Sequence, residues 1–199
     1  TAYEGLELHP AFSPDGAQVA FIWHRTADDS VDLYVKPVDA ETPLRLTTRP
    51  GRESSPAWSP DGQHVVFARH EEAGCALYRV PALGGGEVPL GPCGPAFGGL
   101  AWSPDGRRLV LSHAPAPGGA PALFVRAGES GAERRLAVRR LTEPPAGTAD
   151  QRPTFSPDGR SVAFIRSTSD DVMDLHVVSL DGGAPRRLTF DHAPLAGHT

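Results

Sequence analysis

Phe12-Ser13-Pro14-Asp15-Gly16, Trp58-Ser59-Pro60-Asp61-Gly62, Trp102-Ser103-Pro104-Asp105-Gly106 and Phe155-Ser156-Pro157-Asp158-Gly159 are four copies of one phrase, and their spacings of 46, 44 and 53 residues decide the fold. Ser at the first turn position can bond back to the backbone, Pro presets φ at the second, Asp suits the third, and Gly closes the turn. Each copy follows an aromatic residue and precedes an apolar run such as Val19-Ala20-Phe21-Ile22 or Val162-Ala163-Phe164-Ile165. The local reading is strand, type I-like turn, strand.

Working outward, each repeat next carries an alternating segment with the period of a strand: Asp32-Leu33-Tyr34-Val35, Ala76-Leu77-Tyr78-Arg79, Ala122-Leu123-Phe124-Val125 and Asp174-Leu175-His176-Val177. A fourth short segment closes at Leu46-Thr47, Leu141-Thr142 and Leu188-Thr189, with Val88-Pro89-Leu90 as a degenerate equivalent. Four antiparallel strands at a period of about 40 to 50 residues are the signature of propeller blades. The sequence therefore predicts an all-β chain, a β-propeller of four-stranded antiparallel blades over roughly 6–48, 49–91, 92–142 and 143–190, with 191–199 opening a further repeat. Propellers carry about four to eight blades, so four repeats are expected to form part of a larger propeller. Unpaired blade faces in such a piece predict self-association. The third repeat is longer, and its extra residues, including Arg134-Arg135 and Arg139-Arg140, are expected in a surface loop.

Composition narrows the function. With 22 Gly and 21 Pro the chain is rich in turns, yet 39% apolar residues suffice for a core. The formal net charge of -5 argues against nucleic-acid binding and against attraction to anionic membranes. No apolar run reaches the roughly 20 residues needed to span a bilayer as a helix. Cys75 and Cys93 can pair or stay free, and they form neither a disulfide framework nor a metal knuckle.

Because the Ser-Pro-Asp-Gly units recur once per blade, their aspartates answer to blade geometry, and the preceding aromatics are expected to wedge between blades. No Gly-x-Ser-x-Gly elbow is present; Gly128-Glu129-Ser130-Gly131 fails the spacing, and Gly84-Gly85-Gly86 reads as a turn. Eight histidines, at 9, 24, 64, 70, 113, 176, 192 and 198, show no zinc spacing, so no metal or cofactor is expected. Asp28-Asp29, Glu71-Glu72 and Asp170-Asp171 fall between second and third strands, where a solvated loop explains them better than calcium binding. The arginines from Arg134 to Arg140 offer an acidic partner a contact, although such charge clusters usually face water. The informative residues vary from blade to blade just before each first strand, where propeller chains enter at the channel rim: Glu7 and His9; Arg52, Glu53 and Ser54; Phe97 and Gly98; Asp150, Gln151 and Arg152. A mixed acidic and basic rim suits a protein or peptide partner or a small polar ligand, and the alternative is a set of solvent-facing loops.

The aromatic-Ser-Pro-Asp-Gly phrase, the Asp-Leu-Tyr strand and the Arg-Leu-Thr close resemble TolB-type propeller repeats over nearly the whole chain. None of the four repeats carries the Gly-His or the Trp-Asp dipeptide of WD repeats. Leu8-His9-Pro10-Ala11-Phe12 and Pro81-Ala82-Leu83-Gly84-Gly85 further resemble the C-terminal propellers of bacterial winged-helix regulators and serine/threonine kinases. That resemblance implies a non-enzymatic sensor or interaction module, attached to an effector domain and placed outside the cytoplasm. Two alternatives are the gating propeller of a prolyl oligopeptidase-like serine peptidase and a TolB-type envelope protein with a lipoprotein partner.

Overall fold

The computed structural model describes residues 4–72, 74–127, 138–169 and 172–190. Sixteen strands and no helix form among these residues. The first repeat contains β1 (Gly5–Phe12), β2 (Gln18–Arg25), β3 (Val31–Pro37) and β4 (Leu44–Arg45). The second contains β5 (Arg52–Trp58), β6 (His64–Glu71), β7 (Gly74–Pro81) and β8 (Val88–Pro92). The third contains β9 (Gly99–Trp102), β10 (Arg108–His113), β11 (Ala122–Ala127) and β12 (Arg139–Arg140), and the fourth β13 (Ala149–Phe155), β14 (Ser161–Ser169), β15 (Val172–Ser179) and β16 (Arg186–Arg187). Within every repeat the strands pair antiparallel in chain order, so each repeat is one blade. A single parallel bridge, Val31 with Arg52, links the first two blades.

The turn chemistry is the same in all four blades. Ser13 Oγ donates to Asp15 Oδ1 (2.6 Å) and accepts from the Gln18 N–H (2.8 Å), while Asp15 Oδ1 also accepts from the Ala17 N–H (3.0 Å). Ser59, Ser103 and Ser156 repeat this pattern. The closing glycines take φ between 68 and 73°, the left-handed region that a side chain would disfavour. The serine hydroxyl first, and the backbone N–H second, hold Asp15, Asp61, Asp105 and Asp158 below the ordinary carboxylate range. These acids are therefore occupied by the turn.

The Arg-Leu-Thr close has an equally local cause. The Thr47, Thr142 and Thr189 hydroxyls accept the N–H groups of Leu33, Leu123 and Leu175, each at 2.9 Å, pinning the outermost two-residue strand to the third. Asp32 adds an ion pair to Arg45 (2.5 Å), and Asp174 one to Arg187 (2.8 Å). Blade 2 has Ala76 at the position of these acids. There a Cys75–Cys93 disulfide, with Cα atoms 5.3 Å apart, ties the start of β7 to the residue after β8.

Two compact units are formed, Thr1–Cys93 and Gly94–Thr199. The first buries Ile22, Leu33, Val35, Val65, Phe67 and Val80 with Trp58. The second buries Val110, Leu123, Val125, Val162, Phe164 and Val178. Alternation along β2, β3 and their counterparts supplies these side chains, one from every second position. Trp58 is wedged as expected: its indole N–H donates to the Ala11 carbonyl of the preceding blade (3.0 Å). Phe155 packs on the second core. Phe12 differs, being 68% exposed, because no blade precedes its own among the described residues. The expectation for Arg139-Arg140 is also corrected: they are not surface loop but β12, paired to Phe124 and Val125. Arg134, Arg135, Asp170, Asp171, Gly128-Glu129-Ser130-Gly131 and 191–199 lie outside the described residues.

Candidate functional site

Three of the four first strands are interrupted by an irregularity at one position, β9 being the regular one. Pairing skips between Leu8 and Ala11 in β1, between Ser54 and Ala57 in β5, and between Gln151 and Thr154 in β13. The skipped residues are His9-Pro10, Ser55-Pro56 and Arg152-Pro153. His9, Ser55 and Arg152 have φ of 52, 52 and 51°, a left-handed conformation that non-glycine residues rarely take. Proline explains part of this, since it discourages the right-handed helical region in the residue before it. Two of the bulges also lean on the preceding blade: the Ser55 N–H approaches His9 Nδ1 (3.4 Å), and the Arg152 N–H donates to the Gly98 carbonyl (2.9 Å). His9 and Arg152 were expected at this rim. Ser55 was not, although the recurrence of x-Pro two residues before Phe12, Trp58 and Phe155 carries the signal.

Two register positions earlier stand Glu7, Glu53 and Asp150, opposite Trp23, Arg69 and Arg166. Glu53 and Asp150 are 3% and 0% exposed, so the structure turns both inward. Asp150 grips Arg166 through two bonds of 2.6 and 2.8 Å. Glu53 Oε1 accepts from Arg69 Nε (2.9 Å) and Nη2 (2.7 Å), and Arg69 also reaches Glu87 at 2.7 and 2.9 Å. Arg69 is fully buried over the rings of Phe67 and Tyr78, 5.4 and 4.8 Å from their centres. Gly51, with φ of 139°, leaves room for it: a Cβ there would stand 2.7 Å from Arg69 Cγ. Burial pushes the Glu53 carboxyl up to about 7, outweighing Arg69, whose charge is shared with Glu87. Glu7 Oε1 is buried without a hydrogen-bond partner among the described residues.

The exposed members are Arg52, Arg152 and His9, with Ser54 and Gln151 half-buried. Arg52 borders a hollow of about 870 Å³ whose rim also carries Arg49, Gly51, His70, Glu71 and Glu72. Ser54 Oγ lies 2.9 Å from His70 Nε2, and burial lowers the His70 pKa. Ser54 sits in a paired strand opposite Ala68, not on the strand-to-helix elbow that presents a nucleophile to an oxyanion hole. In blade 3 the rim is stripped to glycine. A Cβ on Gly98 would meet Ser112 Oγ at 2.5 Å, because that hydroxyl is donating to the Asp150 carbonyl (2.6 Å).

The acidic pair of the first blade has its own partners. Asp29 Oδ1 meets His24 Nε2 at 2.6 Å, and Asp28 Oδ1 accepts from the Ser30 N–H (3.3 Å). His113 and His176 stack on Phe124 and Phe164. No group of three or more metal-binding side chains occurs among the described residues.

Four-stranded blades joined by inter-blade wedges and bulged first strands define a β-propeller module. The chain belongs to the TolB beta propeller domain family, whose model matches residues 1–193. The Tol-Pal system protein TolB of Francisella tularensis subsp. mediasiatica is 30% identical over 186 residues, covering 92% of this chain and 40% of that protein. The chain thus spans about 40% of the length of the curated relatives it matches. The crystal structure of TolB from Acinetobacter baumannii superimposes with a TM-score of 0.77 at 22% identity, over 93% of this chain and 44% of that one. A prolyl endopeptidase structure matches with a TM-score of 0.63 at 17% identity, over 94% of this chain and 30% of that one. Both structural likenesses are of fold.

Proposed function

We propose that this propeller is a non-catalytic binding module that holds a protein or peptide partner against the bulged first strands, with Arg52 and Arg152 as charged contacts. The observation that carries this reading is the alignment of His9, Ser55 and Arg152 in one strained conformation at one repeat position. Such residues cost on the order of 1 kcal/mol each and persist where a site uses them. The partner to try first is the Pal component of the system for which the relatives are named. The Cys75–Cys93 bridge supports an extracytoplasmic setting, where disulfides persist.

Calorimetric titration of the parent protein with the soluble part of Pal is the test. Saturable binding is expected, weakened about tenfold or more by Arg52→Ala with Arg152→Ala and unchanged by Arg160→Ala on a Ser-Pro-Asp-Gly turn. Absence of binding, or equal loss with Arg160→Ala, would overturn the TolB-type reading. The fold likeness to prolyl endopeptidase favours a second reading, the gate of a serine peptidase. A Gly-x-Ser-x-Gly elbow downstream in the parent reading frame would support it, whereas a winged-helix or kinase domain there would support a sensor module.

A further inference from the structure

The acid that precedes each bulge has an arginine opposite it, except in blade 1. Glu53 stands opposite Arg69 in blade 2 and Asp150 opposite Arg166 in blade 4, and each pair is bonded through two guanidinium nitrogens. Blade 3 has neither member, with Phe97 and His113 at the corresponding positions. Blade 1 keeps the acid, Glu7, but sets Trp23 opposite it.

The aromatic pair beside this position is common to blades 1 and 2, so the exchange is local. Phe21 stacks on Tyr34 with ring centres 5.9 Å apart, as Phe67 does on Tyr78 at 5.8 Å. Where the Arg69 guanidinium lies over Tyr78, the Trp23 indole lies against Tyr34, ring centres 5.1 Å apart. An indole has one N–H, and this one donates to the Glu4 carbonyl (3.1 Å). Arg25, farther along β2, meets Asp28 at 3.8 Å. Glu7 Oε1 is consequently shut off from water with no hydrogen-bond partner among the described residues. A carboxylate oxygen so placed costs free energy, which a donor from outside would recover.

Glu7 is reachable from outside. Its side chain is half-buried, β1 is an edge strand of its sheet, and Leu6, Leu8 and Phe12 on the same strand are exposed. Residues 4–12 carry Glu4 and Glu7 and no lysine or arginine, so the strand presents negative charge where β5 and β13 expose Arg52 and Arg152. A guanidinium is the group with which the repeat itself meets this carboxylate: planar, with N–H donors for both oxygens and a face that stacks on aromatic rings. We propose that Glu7, beside Trp23, is a seat for an arginine side chain presented by the protein partner, which takes the part that Arg69 and Arg166 play in their own blades. The seat deepens the reading of the first strands as a partner surface, and rests on that reading for the source of the arginine.

The test is a nuclear magnetic resonance titration of the purified protein with N-acetyl-arginine amide, read at the backbone amides of Leu6 and Leu8. Saturable shifts with Kd below about 10 mM are expected, and N-acetyl-citrulline amide, similar in shape but uncharged, should give none. Glu7→Gln should weaken binding about tenfold or more. Trp23→Arg should abolish it by another route, because it gives Glu7 the partner that the acids of blades 2 and 4 already have; since two blades carry arginine at this position, the variant should fold. Arginine amide binding, lost in both variants, by a protein that does not bind Pal would uphold the seat and remove only the Pal reading. No saturable shift, equal shifts with the citrulline amide, or equal affinity in wild type, Glu7→Gln and Trp23→Arg would overturn the seat, whether or not Pal binds.

Discussion

Among the described carboxyls with a shifted pKa, Glu53 alone is raised. It is buried beside Arg69, one of its oxygens is unbonded, and Arg69 divides its charge with Glu87. The carboxyl is therefore raised from 4.5 to about 7 in the folded state. A raised folded pKa means that the native state holds a proton the unfolded chain gives up. The associated stability is complete below the unfolded value of 4.5 and is lost as pH rises through about 7. Thermal unfolding between pH 5 and pH 8.5 is expected to show a midpoint falling with pH, and Glu53→Gln to flatten that slope while still accepting from Arg69. An unchanged slope in Glu53→Gln would place the titration elsewhere. Arg69→Met should be far worse, costing about 3 kcal/mol or more, since it strands two buried carboxylates.

Among the elements, the outermost strands hold by different means, and blade 2 is the exception that exposes the rule. Blades 1 and 4 use an Asp–Arg pair and a threonine hydroxyl. Blade 3, with Ala122 in place of the acid, keeps the threonine hydroxyl, whereas blade 2 has neither and has Cys75–Cys93 beside the same position. Closing a loop over a sequence separation of 18 removes unfolded-state freedom worth about 3 kcal/mol. Cys75→Ser with Cys93→Ser should lower stability by about that amount, with hydrogen exchange accelerating first in β8 and the outer edge of β7. Uniform acceleration across all four blades would refute a local role. Elements of this kind mark what sequence reveals. The Ser-Pro-Asp-Gly turns and the strands around them were legible because the turn is specified by its own residues. β12 was misread as loop because a two-residue strand has no period to detect. The Glu53–Arg69 and Asp150–Arg166 pairs escaped notice because partners 16 residues apart meet only once the hairpin register is known. Likewise, Cys75 and Cys93 offered no spacing from which pairing could be settled. For the residues expected at the rim, sequence did not show the inward turn of Glu53 and Asp150, which depends on arginines contributed by the neighbouring strand.

On the scale of the whole molecule, repetition is the most useful physical standard. Four blades built to one plan show which residues the plan requires, and departures from it then call for another cause. The first-strand bulge recurs in three blades and so belongs to the plan; the departure is blade 3, where β9 pairs without a skip and Gly98 and Gly99 stand where blade 2 has Ser54 and Ser55. A Cβ on Gly98 would stand 2.5 Å from Ser112 Oγ, whose hydroxyl donates to the Asp150 carbonyl of blade 4. Gly98→Ala is therefore expected to push that hydroxyl off its acceptor and to lower stability by about 1 to 2 kcal/mol in urea unfolding. An unchanged unfolding midpoint in Gly98→Ala would show that blade 3 has glycine there for a reason other than its packing against blade 4.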